Sequence, residues 1–117
     1  MTVRRTGEAS STIVASATET ASGNSGSLAI FDRIGLSLHL LVDITATSGT
    51  PTLNLTIEWS NDGSKFVVPQ GVDSFSELST TGGAIKAFTI KAPFYRIVWV
   101  IAGGSPSLTF SIDEYTT

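Results

Sequence analysis

The chain has 117 residues, a formal net charge of −3 from seven Lys and Arg against ten Asp and Glu, and no cysteine. The acidic balance argues against nucleic-acid binding, which needs a basic footprint to displace counterions, and the cysteine count excludes thiol nucleophiles, disulfides and Cys-ligated zinc. One domain of this size buries roughly two-thirds of its unfolded surface; with 41% hydrophobic but only 15% charged residues, its surface must be built from Ser, Thr, Asn and Gly, which cost less to bury against a partner than charges do.

Residues 1–27 are rich in Ser, Thr, Ala and Gly, lack aromatics, and offer Ile13 and Val14 as their main apolar pair. Such a segment buries too little surface alone to repay its ordering entropy. It is expected as an extended N-terminal arm, either adding an edge strand around Ser11–Ser16 or lying on a neighbouring subunit. Arg4 and Arg5 are followed by no apolar stretch, and no run reaches the roughly 18 apolar residues of a membrane span. The sequence therefore predicts neither a secretory signal nor a membrane helix.

The folded body is expected over 28–117. Leu36, Leu38, Leu40, Val42 and Ile44 share one face of a long strand, with Ser37, His39, Leu41, Asp43 and Thr45 on the other. A corner at Thr47–Pro51 returns the chain into a strand with Leu53, Leu55, Ile57 and Trp59 inward. Asn61-Asp62-Gly63 signals a turn, and Phe66–Val68 reads as a short strand. Residues 69–84 read as irregular, with Phe75 and Leu78 either anchoring the stretch or facing a partner. Ile85–Ala92 reads as a strand stopped by Pro93. Phe94–Ile101, apolar on both faces apart from Arg96, has the pattern of a central strand covered on both sides. The last strand points Leu108, Phe110 and Ile112 inward. No segment carries a helical period. The fold class is all-β: an antiparallel β-sandwich, jelly-roll or immunoglobulin-like.

One hairpin arm is written twice. The string from Gly49, GTPTLNLTIE, returns 55 residues on from Gly104 as GSPSLTFSID. Each copy opens on a Gly-hydroxyl-Pro corner and continues in strict alternation, so both corners are expected at the same end of the sandwich.

Chemistry is sparse. His39 is the only histidine, so a histidine triad or a multi-histidine metal site cannot form within one chain. Glu58 and Asp113 hold equivalent places in the repeats and are expected to point outward, whereas glycosidase chemistry needs two carboxyls facing each other. Ser60–Phe66 resembles the Asp-box of sialidase hairpins but is one residue short between Asp and Gly. A tight turn whose Asp62 caps backbone N–H groups accounts for it. Trp59 and Trp99 lie in register with inward aliphatics and are expected in the core, leaving only Tyr115 among the large aromatics to meet a partner. No cofactor motif is present.

The string from Leu40, LLVDITATSGTPTLNLTIEWSNDG, and that over Phe94–Phe110, FYRIVWVIAGGSPSLTF, resemble small β-sandwich virion proteins of tailed bacteriophages. The shared features are the two Gly-hydroxyl-Pro corners, the Ser-x-Asp-Gly turn and the Arg-containing strand, within the last 80 or so residues. The resemblance implies a capsid decoration (cement) protein without enzymatic activity or cofactor. It would be made in the host cytoplasm and seated on the virion surface, often as a homotrimer bound to the major capsid protein. Its expected contact residues are Arg4, Arg5, Ile13, Val14, Thr50, Pro51, Phe75, Ser105, Pro106 and Tyr115. Head–tail or tail subunits, and a carbohydrate-binding module, are the alternative roles such a sandwich fills.

Overall fold

Period-two alternation gives each long strand one apolar row, and these rows close on one another across a single core. The computed structural model describes residues 10–117. In chain order the strands are β1 (Ser10–Glu19), β2 (Gly23–Asn24), β3 (Leu28–Ala29), β4 (Ser37–Ser48), β5 (Thr52–Ser60), β6 (Asp73–Ser74), β7 (Gly82–Thr89), β8 (Phe94–Ala102) and β9 (Ser107–Thr116), with a 3-10 turn at Phe31–Arg33. They form two antiparallel sheets, β1-β9-β4-β7 and β2-β8-β5-β6, with β3 also pairing β8. With β2 and β3 taken as one interrupted strand, the pairing is nested: β1 with β9, β2/β3 with β8, β4 with β7, β5 with β6. That is the winding of an eight-strand jelly roll, which decides between the two sandwich types the sequence allows.

The inward rows are those that alternation predicts. Leu38, Leu40, Val42 and Ile44 of β4 face Leu53, Leu55, Ile57 and Trp59 of β5, joined by Tyr95, Ile97 and Trp99 of β8 and Leu108, Phe110 and Ile112 of β9, all buried. Each such aliphatic side chain contributes about 1.5–3 kcal/mol on burial. The 55-residue repeat recurs in space. It exchanges β4 with β8 and β5 with β9, and the central ladders β4·β9 and β5·β8 are each other's counterparts. Inside, Tyr95 donates its phenol hydrogen to the Glu114 carboxylate. Burial, and then the adjacent carboxylate, push the Tyr95 pKa far above the usual phenol value.

Several sequence expectations need correction. Leu36 does not join the inward row: Gly35 at φ +89° breaks the extended run, Leu36 N–H closes a turn on Arg33 O, and the side chain is exposed. Phe66–Val68 is not a strand; only Val67 makes a bridge, to Trp59. The 69–84 stretch is not wholly irregular, because β6 pairs with β5 and Leu78 exchanges both backbone hydrogen bonds with Leu53. Finally, β8 is central within its sheet but covered on one side only, with Val100 51% exposed. Its outward Val98 sits between Thr56 of β5 and Asn24 of β2, and Val100 beside Asn54 of β5, where β-branched side chains suit the pleated surface without a further layer.

The strand expected at Ile85–Ala92 lies earlier, at Gly82–Thr89, since Gly82 and Gly83 pair with Ile44 and Asp43. Both edges of its sheet are blunted against further pairing. β1 carries two register shifts, and on β7 the inward-turned Lys86 reaches Ser74 O of the other sheet at 2.7 Å. Bulges and inward lysines of this kind discourage edge-to-edge association.

Candidate interaction surfaces

The two corners of the repeat meet. A Cβ on Gly49, at φ +76°, would lie 2.1 Å from Ser105 O, and one on Gly103, at φ +129°, 2.8 Å from Thr50 O. Only glycine allows backbones to approach so closely. Thr50 and Ser105 hold equivalent left-handed conformations, φ 46° and 53°, and both are exposed at this end. Pro51 turns into the core and Pro106 is half-buried. Four of the expected contact residues, Thr50, Pro51, Ser105 and Pro106, are therefore brought together, with the hydroxyl residues outward and Pro51 as internal support.

The remainder lie elsewhere. Ile13 and Val14, on β1, are half-buried against the core. The segment expected as an arm thus supplies the edge strand of one sheet. Phe75 packs on Phe88 with ring centroids 5.7 Å apart, and its N–H bonds Leu55 O. It anchors its loop to the core. Tyr115 is 37% exposed near the opposite end of β9 from the corner, its ring 5.9 Å from that of His39. Arg4 and Arg5 fall outside the described residues.

Glu58 and Asp113 belong to different sheets, so they cannot face each other across a substrate. Glu58 is bound to Arg96, with Nη2 2.6 Å from Oε1, and Arg96 lies over the Phe66 ring at 4.6 Å. Trp59 and Trp99 are buried, as expected. Beside Trp59 a shallow cleft of about 470 Å³ is lined by Asn61, Asp62, Lys65, Val67 and Lys91 among others. Its floor is tied internally: Trp59 Nε1 and Lys91 Nζ both donate to Asp73 Oδ2, at 2.9 and 2.7 Å. With its indoles closed off, this surface has no flat aromatic platform for a sugar ring.

The Ser60–Lys65 turn is a capping device. Asp62 Oδ1 accepts from the N–H groups of Ser64 and Lys65 and from Ser60 Oγ, each at 2.9 Å. These hydrogen bonds, Lys65 first, lower the Asp62 pKa to about 2. A depressed carboxylate adds stability that is complete above its unfolded pKa, near 4, and is lost as pH falls toward the folded value. Asp62→Asn keeps an acceptor but not the charge. Its urea midpoint is expected to fall less steeply than wild type between about pH 4 and pH 2. Parallel slopes would show that the capping charge contributes nothing.

Sequence reasoning missed one surface feature. Leu41 and Ile85 are cross-strand partners on β4 and β7, 39% and 68% exposed on the outer face of their sheet. The available signal was Leu41 itself, an aliphatic residue interrupting the polar row Ser37, His39, Asp43 and Thr45.

Fold and surface together define a jelly-roll sandwich with a glycine-locked corner pair and exposed sheet faces. No protein-family model and no curated protein sequence matches the chain. Among solved structures it is similar to the crystal structure of the SPBc2 prophage-derived protein YomS. That match has a TM-score of 0.52 and 11% identity over 94% of this chain and 93% of the other. At that identity the likeness is one of fold.

Proposed function

We propose that this protein is a structural component of a tailed-phage particle, a decoration protein that seats on the outside of the capsid and bridges neighbouring shell subunits. The observation that carries the proposal is the end-to-end likeness of its fold to that of a prophage-derived protein. Jelly rolls serve viral capsids, lectins and cupins alike, so the surface must discriminate. Two buried tryptophans count against a sugar-stacking module. Carboxylates on opposite sheets count against a glycosidase. A charge-poor surface of small polar residues suits a broad protein contact, and many weak contacts around a symmetry axis multiply into durable attachment. A ligand that binds only the assembled shell stabilises it by mass action.

The test is quantitative mass spectrometry of purified particles, paired with thermal disassembly of shells carrying or lacking the protein. Copies in the hundreds and a higher disassembly temperature are expected. A single ring of copies would assign it to the neck or tail instead, and absence from the particle would reject a structural role.

A further inference from the structure

All five described lysines and arginines lie away from the outer face of the β1-β9-β4-β7 sheet. Arg33 is in the 3-10 turn beside Asp32, Lys65 in the capping turn and Lys91 on Asp73, while Arg96 is on β8 with Glu58. Lys86 belongs to β7 but turns inward to Ser74 O. What the outer face does carry is Asp43, Asp113, an aliphatic centre and, beyond that centre, the His39–Tyr115 ring pair. One cross-strand row reads Thr12–Asp113–Leu41–Ile85, and the next reads Ser111–Asp43–Gly83. Leu41 and Ile85 lie exposed between the Ser111–Asp43–Gly83 row on one side and the Tyr115–His39–Ala87 row on the other.

We propose that this face is the docking surface for a basic protein surface, with Leu41 and Ile85 as the desolvated centre and Asp43 and Asp113 pairing with lysine or arginine of the partner. An apolar centre with a polar rim is the usual anatomy of a protein interface, and complementary charge fixes register and speeds encounter. A second copy meeting the same face would set Asp43 and Asp113 against their own counterparts with no described lysine or arginine on either side, so the occupant is a different surface. The proposal rests on the structural-protein role above for its biology, since it names the side of the jelly roll that would meet the shell.

Two measurements on the full chain separate the ideas. In the first, tetralysine is titrated at low salt and backbone amide shifts are followed by NMR. The shifts are expected to centre on Leu41, Asp43, Ile85 and Asp113 and to collapse on adding salt, as a surface charge contact must. D43K/D113K is expected to weaken binding by about tenfold, whereas E77K, a reversal on the loop beside the other sheet, leaves it unchanged. Shifts centred on Asp62 or Glu77, or equal binding by D43K/D113K, would overturn the proposal. In the second, the same variants and Ile85→Ser are mixed with shells lacking the protein. Loss of attachment in D43K/D113K and I85S, with E77K retained, supports the face. Undiminished attachment of both rejects it while leaving the capsid role intact. Failure of the wild type to attach rejects the capsid role, and the tetralysine map then decides the face alone.

Discussion

Gly49→Ala is expected to destabilise the protein by about 3 kcal/mol or more. Two costs combine. The residue sits at φ +76°, where a β-carbon costs about 1–2 kcal/mol by itself. The new Cβ would also fall 2.1 Å from Ser105 O and 2.8 Å from Gly104 O. Those are backbone atoms that no rotamer change moves aside, so relief requires prising the two corners apart. Against a total stability of about 5–15 kcal/mol for a domain of this kind, that is a large share. Gly104→Ala is the control from the same corner pair. Nothing lies within 4 Å of its added Cβ and its φ is not in the left-handed region, so the change is expected within about 0.5 kcal/mol of neutral. Urea denaturation with an unchanged m-value measures both. A wild-type midpoint for Gly49→Ala would mean the corners do not touch.

This contrast shows what the sequence made legible. Gly-hydroxyl-Pro followed by alternation is local information, and it located both corners, their shared end and the strand that follows each. The inward rows of β4, β5, β8 and β9 were legible for the same reason, since side-chain direction in a strand follows position alone. Pairing between distant segments was not. Leu78 bonds Leu53 and Gly82 bonds near Ile44, contacts that leave no periodic trace in a glycine- and serine-rich stretch. Nor does composition say how many sides of a strand are covered. Phe94–Ile101 is apolar on both faces, yet only its Tyr95, Ile97 and Trp99 side meets the core. Of the expected contact residues, Thr50 and Ser105 stand exposed at the joined corners, while Phe75 and Pro51 are internal. An aromatic or a proline in a loop carries the same letter whether it anchors the loop or presents it.

Phe110→Ala is expected to cost about 3–5 kcal/mol, the range for emptying a buried aromatic site. Phe110 is 1% exposed, and Trp99 meets its ring edge-on at 5.5 Å and 85°, a geometry that adds about 0.5–1.5 kcal/mol beyond burial. How far the cost climbs depends on what the vacated space can do. Trp99 Nε1 is buried and finds no hydrogen-bond partner among the described residues. One unused donor falls short of the roughly two to four polar partners that hold a buried water, so the space is expected to stay empty. The cost is therefore expected toward the upper end of the range, accompanied by a shift of tryptophan emission as the Trp99 indole loses its edge-on neighbour. Leu55→Ala, the equivalent position in the other copy of the repeat and equally buried, should cost about 2–5 kcal/mol without that shift. If Phe110→Ala shifted the urea midpoint less than Leu55→Ala and left emission unchanged, the edge-on packing of Trp99 on Phe110 would be wrong.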